Sequence, residues 1–586
     1  MNYLHRALLV TLMASFAVGS VLAQKKDRNK KSAAKKTVVS PKKSPATNNS
    51  EEVDLSNKKE NTTDTASPKV VTITSAFKPY LRNAAKVNFT AASPVIDSSK
   101  MDVVYTVPSQ NLFFTYQPVP LKPLALPIDS GYIWENQQYI KLGAGNSSSY
   151  FAEIALAFGD GKNAITNIQG NFLSATGNLP AQQSAKWGID LLSIFNTRNN
   201  HEWTTHPYYQ SSTQYLYGYE PSTLPYQKDQ LLQQFSTIGL EAGMQNKIAN
   251  SMGIKYHPQI KVTRFIDNHE ANENNFVLIA PISKYFGKIY ALDVGINADM
   301  STANFPLIPN PIILKNNLYS INTSLLFKTP NFKLNAGILP SWDNEKFSLL
   351  PNLFAEAKVA DINLVLEAGW VGTFQKNSYR SLASFNPWIS TLMNGLLNTK
   401  ITEQYAGMKA ASGDHLTYQL KVSLLQFKNQ PLFLNDTNDG KTFRVIFEPE
   451  MQAFRVHAEL GYAEKESISV TAGVTYSQYS ALLVNSKAWG LLPLEATGSL
   501  KWKLLNDLQV KADVFLWDGS PYQDKTLQTK KGNAVADLNL GAEFTVMPKL
   551  NLWLQMNNLL NTSYQRWNQY SVLGFTILGG VVYSFK

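Results

Sequence analysis

Cysteine is missing from all 586 residues, which excludes disulfides, thiolate metal sites and lipid attachment at an N-terminal cysteine. Charge is sparse: Asp, Glu, Lys and Arg make up 17%, against about 25% in soluble domains. Beyond the leader, no stretch approaches the roughly 18 consecutive apolar residues of a membrane-crossing helix. Histidine is rare too. His201, His206, His257, His269, His415 and His457 fall in no Gly-x-Ser-x-Gly elbow and no His-Glu-x-x-His pair. The chain therefore reads as a non-enzyme with no catalytic site, no metal and no cofactor.

Aromatics are plentiful, with 27 Tyr, 29 Phe and 11 Trp. Few charges and many aromatics suit a protein whose outside meets lipid and whose inside meets water. The net charge of +11 is not spread evenly. Lys25 to Asn48 holds nine Lys/Arg and one Asp, so most of the excess sits in one tail. A basic tail beside a secretion signal does not suggest a nucleic-acid partner.

Met1 to Ala23 has the pattern of a signal peptide: a charged start at His5 and Arg6, an apolar core from Ala7 to Val18, and Val21-Leu22-Ala23 as the cleavage site. Residues 24–70 are Lys-, Ser-, Thr- and Asn-rich, with too little apolar surface to offset ordering entropy, and read as a disordered periplasmic tail. Residues 71–137 carry short β-prone runs and then Pro118, Pro120, Pro123 and Pro127. They read as an extended strap in or under something larger.

From about Gln138 to Lys586 every second residue is apolar, run after run. Tyr150, Ala152, Ile154, Leu156 and Phe158 form one such set; Leu416, Tyr418, Leu420, Val422 and Leu424 form another. Between them lie Glu153, Gln419 and Lys421. Period two means strand. Charges on the inner face would be costly in a dry sandwich core and fit a wet lumen. Turn signals such as Asp160-Gly161, Gly413-Asp414 and Asn506-Asp507 alternate with long stretches at 199–234, 302–315, 376–402 and 432–441. Short turns at one end and long loops at the other predict a transmembrane antiparallel β-barrel of about 22 strands, with 16 to 22 compatible with the pattern. Such a barrel belongs in the outer membrane of a Gram-negative cell, with membrane lipid as its partner.

The C-terminal run Asn557-Asn558-Leu559-Leu560-Asn561-Thr562-Ser563-Tyr564 resembles the box that precedes the closing strand of TonB-dependent receptors. Gly580, Tyr583 and Phe585 are spaced like the terminal signal read by the barrel-assembly machinery, although Lys586 stands where a terminal aromatic is usual. Lys141-Leu142-Gly143-Ala144-Gly145-Asn146 is similar to the first hairpin of receptor-like barrels from Bacteroidota. The resemblance covers about three-quarters of the chain. It implies a transport-related barrel for nutrient uptake or pore formation, and the assembly machinery as a partner during biogenesis. A full receptor of that family also has a glycine-rich plug of well over a hundred residues, which the shorter, glycine-poor strap does not match. The alternative is a non-transporting scaffold within a larger outer-membrane complex for protein assembly, secretion or surface export, with an outer-membrane or periplasmic protein as partner.

Candidate contact residues gather in two long stretches. Trp203, Tyr208, Tyr209, Tyr215, Tyr217 and Tyr219 lie in 199–234 and read either as an outer-loop contact surface or as an interfacial aromatic belt. Trp388 lies in Phe385–Leu397, which is unusually apolar for an exposed loop. That segment either folds into the lumen or docks a partner.

Overall fold

The computed structural model describes residues 138–585 apart from 307–308, 360–362, 392, 394, 466 and 525. The leader, tail and strap expected over 1–137 lie outside the described residues. Twenty-two antiparallel strands pair with their sequence neighbours, and the first, Tyr139–Gly145, pairs with the last, Thr576–Ser584. The barrel is therefore closed, with no free sheet edge to desolvate in lipid.

Alternation explains the strands. Along Ser149–Gly159, Tyr150, Ile154 and Phe158 face outward and exposed, while Phe151 and Glu153 point inward and are buried. Outward aromatics form two bands. Phe158, Phe195, Trp203 and Trp502 lie toward one end, and Tyr150, Trp187 and Tyr476 toward the other. On Gln183–Asn196, Trp187 and Phe195 stand eight residues apart on the same face. That is roughly 26 Å along the strand, or about 20 Å of height at the usual tilt, close to the apolar band of such barrels.

The two ends differ as expected. One carries the short connections 160–163, 287–289, 413–415, 465–467, 504–507 and 548–549. In the first, the Asp160 carboxylate accepts the backbone N–H groups of Lys162, Asn163 and Ala164 at 3.0, 2.7 and 3.0 Å. The other end carries 216–231, 376–398, 481–493, 518–534 and 558–575.

Three of the long stretches are shorter than expected. Strands run to Phe305 and to Asn435, leaving 306–311 and 436–442 as loops. The largest correction is at 199–234, where His201–Tyr215 is a 15-residue strand. Its Thr204-Thr205 and Ser211-Ser212-Thr213 steps put polar groups on both faces, which hides the period-two apolar signal although the residues are good strand formers.

The lumen wall is polar and paired. Lys409 and Glu367 meet at 2.6 Å, Lys421 and Glu403 at 2.7 Å, and Lys511 and Asp513 at 3.0 Å. At the closing seam Gly580 lies opposite Gly143, and Trp553 packs over them, donating its Nε1–H to the Leu142 carbonyl at 3.1 Å. Buried Lys141 sits 4.9 Å from the Trp553 ring and 3.8 Å from Glu543. Of the terminal signal residues, Tyr583 and Phe585 face outward from the closing strand and its end, and Gly580 faces the first strand at closest approach.

Candidate functional site

The apolar segment after Gln375 folds inward. Ser378 and Ser381 form a reciprocal cap on the helix Tyr379–Phe385, satisfying N-terminal N–H groups that would otherwise be orphaned. Tyr379, Leu382, Ala383 and Phe385 are all buried. The stems of this loop are held by side-chain amides. Asn316 donates to the Asn377 carbonyl and to Asn398 Oδ1, both at 2.9 Å, and Asn398 donates to Asp343 Oδ1 at 2.7 Å. Asn377 donates to the Leu397 carbonyl and the Thr399 hydroxyl, both at 2.8 Å. Lys376 reaches Asp299 at 3.3 Å.

Tyr379 latches the helix to the wall. Its hydroxyl donates to Asp267 at 2.6 Å and its backbone N–H to Glu273 at 2.6 Å. Its ring lies among Phe235, Phe265 and Phe305, with the last two at 5.1 Å. Burial, together with the Asp267 charge, holds the phenol well above its ordinary pKa, so it stays a donor.

A second loop, 558–575, meets this one across the mouth, and the Asn-Asn-Leu box builds it. Asn558, at a φ of 47°, accepts the Thr562 N–H at 3.0 Å and donates to the Thr562 and Leu573 carbonyls at 2.9 and 3.0 Å. Asn561 Oδ1 accepts the Phe575 N–H at 2.9 Å. Asparagine tolerates the left-handed backbone and bonds locally, which is what a tight loop base requires. Tyr564 donates to Asp537 and packs edge-on against Trp517. The loop so formed presents Arg566, Trp567 and Tyr570.

Four other loops converge on those three residues. Trp388 stacks on Tyr570 at 4.1 Å, and Tyr217 meets Tyr570 edge-on at 5.0 Å while donating to the Ser571 carbonyl at 2.7 Å. Tyr570 donates to the Lys441 carbonyl. Trp567 packs against Phe385, Phe433 and Phe443. The Arg566 guanidinium lies 4.3 Å from the Trp567 ring and donates to the Gly490 carbonyl at 2.9 Å. Burial lowers the Arg566 pKa to about 10 and raises that of Tyr217 to about 12. Gly490 belongs to 481–493, whose start is held by Glu448 accepting the N–H groups of Leu483, Val484 and Asn485 at 2.7 to 2.8 Å. The result is an apolar cap spanning the long-loop end.

The seven expected contact residues part company. Trp203 is at the short-turn end of its strand, exposed outward, and is not in an outer loop. Tyr208 is buried against the lumen side, and Tyr209 packs on outward-facing Trp187 at 4.7 Å. Tyr215 ends the strand under Lys228. Tyr219 meets Tyr226 edge-on in the following loop. Only Tyr217 and Trp388 come together, at Tyr570. Tyr379, Glu448 and the Asn316–Asn377–Asn398 network were not anticipated; the one trace in the sequence is the density of asparagine at 377, 386 and 398. Among the described residues no group of three His, Asp or Glu is placed to hold a metal ion. His201 bonds Tyr256 at 2.8 Å, and His206 faces Asp190 at 3.3 Å.

No family model and no curated protein matches the sequence. Solved structures do match in fold. The siderophore receptor PirA from Acinetobacter baumannii is similar at 10% identity, over 77% of this chain and 80% of that one, with a TM-score of 0.59. A variant of the iron transporter FrpB from Neisseria meningitidis is similar at 11% identity, over 77% and 82%, also at 0.59. The ferripyoverdine receptor of the outer membrane of Pseudomonas aeruginosa is similar at 13% identity, over 77% and 72%, with a TM-score of 0.57. The barrel has the fold of outer-membrane receptors and transporters.

Proposed function

We propose that this chain is an outer-membrane transport barrel of the TonB-dependent receptor kind, and that the interlocked loops are its outer gate. The observation that carries the reading is the Trp388–Tyr570–Tyr217 cluster, where loops from well-separated strands close the mouth over a charged, ion-paired lumen. A wall of paired charges suits a wet pathway, because a barrel serving only as a support gains nothing from it. The likeness to receptors and transporters supports the same reading. The tail and strap belong on the periplasmic side, the assembly machinery would read the closing strand, and no enzyme activity is proposed.

The same closed mouth favours a second reading, a non-transporting subunit of an outer-membrane complex. Planar-bilayer recording with the purified full chain separates them. Transport predicts silence in the wild type and stable channels in a Trp388→Ala/Tyr570→Ala variant. Silence in both, with a stoichiometric protein partner retained from membranes in mild detergent, would replace it with the scaffold.

A further inference from the structure

The short-turn end carries cations that differ from those of the lumen. Lys162, Arg198, Lys288, Lys465 and Lys503 are exposed at five separate connections, and none makes an ion pair among the described residues. The lumen lysines Lys409, Lys421 and Lys511, by contrast, sit against carboxylates. Among the described residues the acids at this end are Asp160, Glu202, Asp414, Glu464 and Asp507, and three are engaged locally: Asp160 by its own turn, Glu202 by Lys247 at 3.6 Å, and Glu464 by the Tyr462 hydroxyl at 3.3 Å. Lys328, Lys358 and Lys549 are also exposed there, so cations exceed acids.

Beside these cations stand apolar side chains that remain largely exposed among the described residues. Ile248 is 72% exposed, Met252 63%, and Leu505, two residues from Lys503, 61%. Lys284 faces outward next to Phe286, reaches the Met252 carbonyl and lies 5.9 Å from the Phe286 ring. This rim continues the aromatic band of Phe158, Phe195 and Trp502, so its apolar groups meet lipid at the depth where headgroups begin.

We infer that the short-turn rim is a collar that binds anionic phospholipid of the inner leaflet. Unpaired Lys and Arg match the phosphate and the net negative headgroup, and the apolar residues between them match the upper acyl chain. A soluble acidic partner would not use Ile248 or Met252 at the lipid boundary. The inference rests on the membrane placement proposed above.

The test is native mass spectrometry of the full chain from micelles doped with equal phosphatidylglycerol and phosphatidylcholine. One rim cation near an anionic surface favours it by roughly fivefold, so the expected result is at least about fivefold retention of phosphatidylglycerol. A Lys162→Gln/Arg198→Gln/Lys288→Gln/Lys503→Gln variant, still folded by its heat-dependent mobility in SDS gels, should fall toward parity. Equal retention by the wild type, or an unchanged preference in the folded variant, overturns the collar while leaving the barrel in its membrane. Retention of neither lipid overturns the membrane placement as well. An acidic periplasmic protein held by the rim with lipid parity also refutes the collar.

Discussion

Replacing Gly580 by alanine tests whether the barrel closes as described. An added Cβ would stand 1.8 Å from the Leu142 carbonyl oxygen and 2.6 Å from the Gly143 Cα. Both obstacles are backbone, and real Cβ contacts stay beyond 3.0 Å. The first and last strands must therefore separate locally by about 1 Å, which takes the flanking N–H···O bonds past useful length. Losing two such bonds costs about 2–3 kcal/mol, at roughly 1 kcal/mol each plus strain. This falls on a seam of only seven residue pairs. Gly579 provides the control: its added Cβ meets nothing nearer than 3.6 Å. Gly143→Ala is intermediate, because its Cβ would sit 2.2 Å from the Trp553 indole, which is a side chain. The assay is refolding into detergent, with the folded fraction read from cold SDS gels and stability from urea titration. Gly579→Ala should match the wild type, and Gly580→Ala should fold poorly or with a lower urea midpoint. If the two variants have the same midpoint, the closing register is wrong.

Tyr379→Phe removes the donor to Asp267 and leaves a buried carboxylate oxygen short of a partner, at a cost of about 1–3 kcal/mol; protease cleavage within 376–398 should become faster, while the barrel remains folded. Lys409→Met strands Glu367, which is 3% exposed, and should lower stability by about 3–5 kcal/mol; adding Glu367→Gln should recover most of it in the same urea titration. For alkaline pH the sign follows from Tyr217. Its phenol titrates near 10 when unfolded and at about 12 in the cap, so its contribution is complete below pH 10 and lost as pH rises toward 12. The loss is roughly 3 kcal/mol, and loop cleavage should rise across that window in the wild type but stay flat in Tyr217→Phe.

The barrel was legible because lipid imposes a rule on every strand: outward residues must be apolar, and no backbone group can be left unpaired. That is why Tyr150 to Phe158 and Leu416 to Leu424 could be read directly. His201–Tyr215 escaped the rule, since its Thr and Ser residues suit either face and few apolar residues, Trp203, Pro207 and Tyr209, mark the lipid side. The cap was legible at one end and hidden at the other. The Asn558 box announces itself because left-handed turns need particular residues. The partners of Tyr379, namely Asp267 and Glu273, lie more than a hundred residues away, and no local period links them. Trp388 lies in a segment that the sequence allows either to fold into the lumen or to dock a partner; it turns inward, and its ring stacks against Tyr570, a contact that depends entirely on how loops cross the mouth.

The weaving of those loops constrains how the outer surface can diverge among related cells. A change at Tyr217, Trp388, Lys441 or Gly490 alters a neighbour's seat as well as its own, so the woven loops must vary together or hardly at all. The hairpin of Pro521–Gln523 and Thr529–Lys531 joins the weave at its base alone, where the Pro521 carbonyl accepts the Gly490 N–H at 3.1 Å. Its tip is braced mainly from within, by Asp524 accepting the Thr526 and Gln528 N–H groups and pairing with Lys530 at 2.8 Å. It is the place where phage, antibody or an inserted epitope tag would find a surface free to drift.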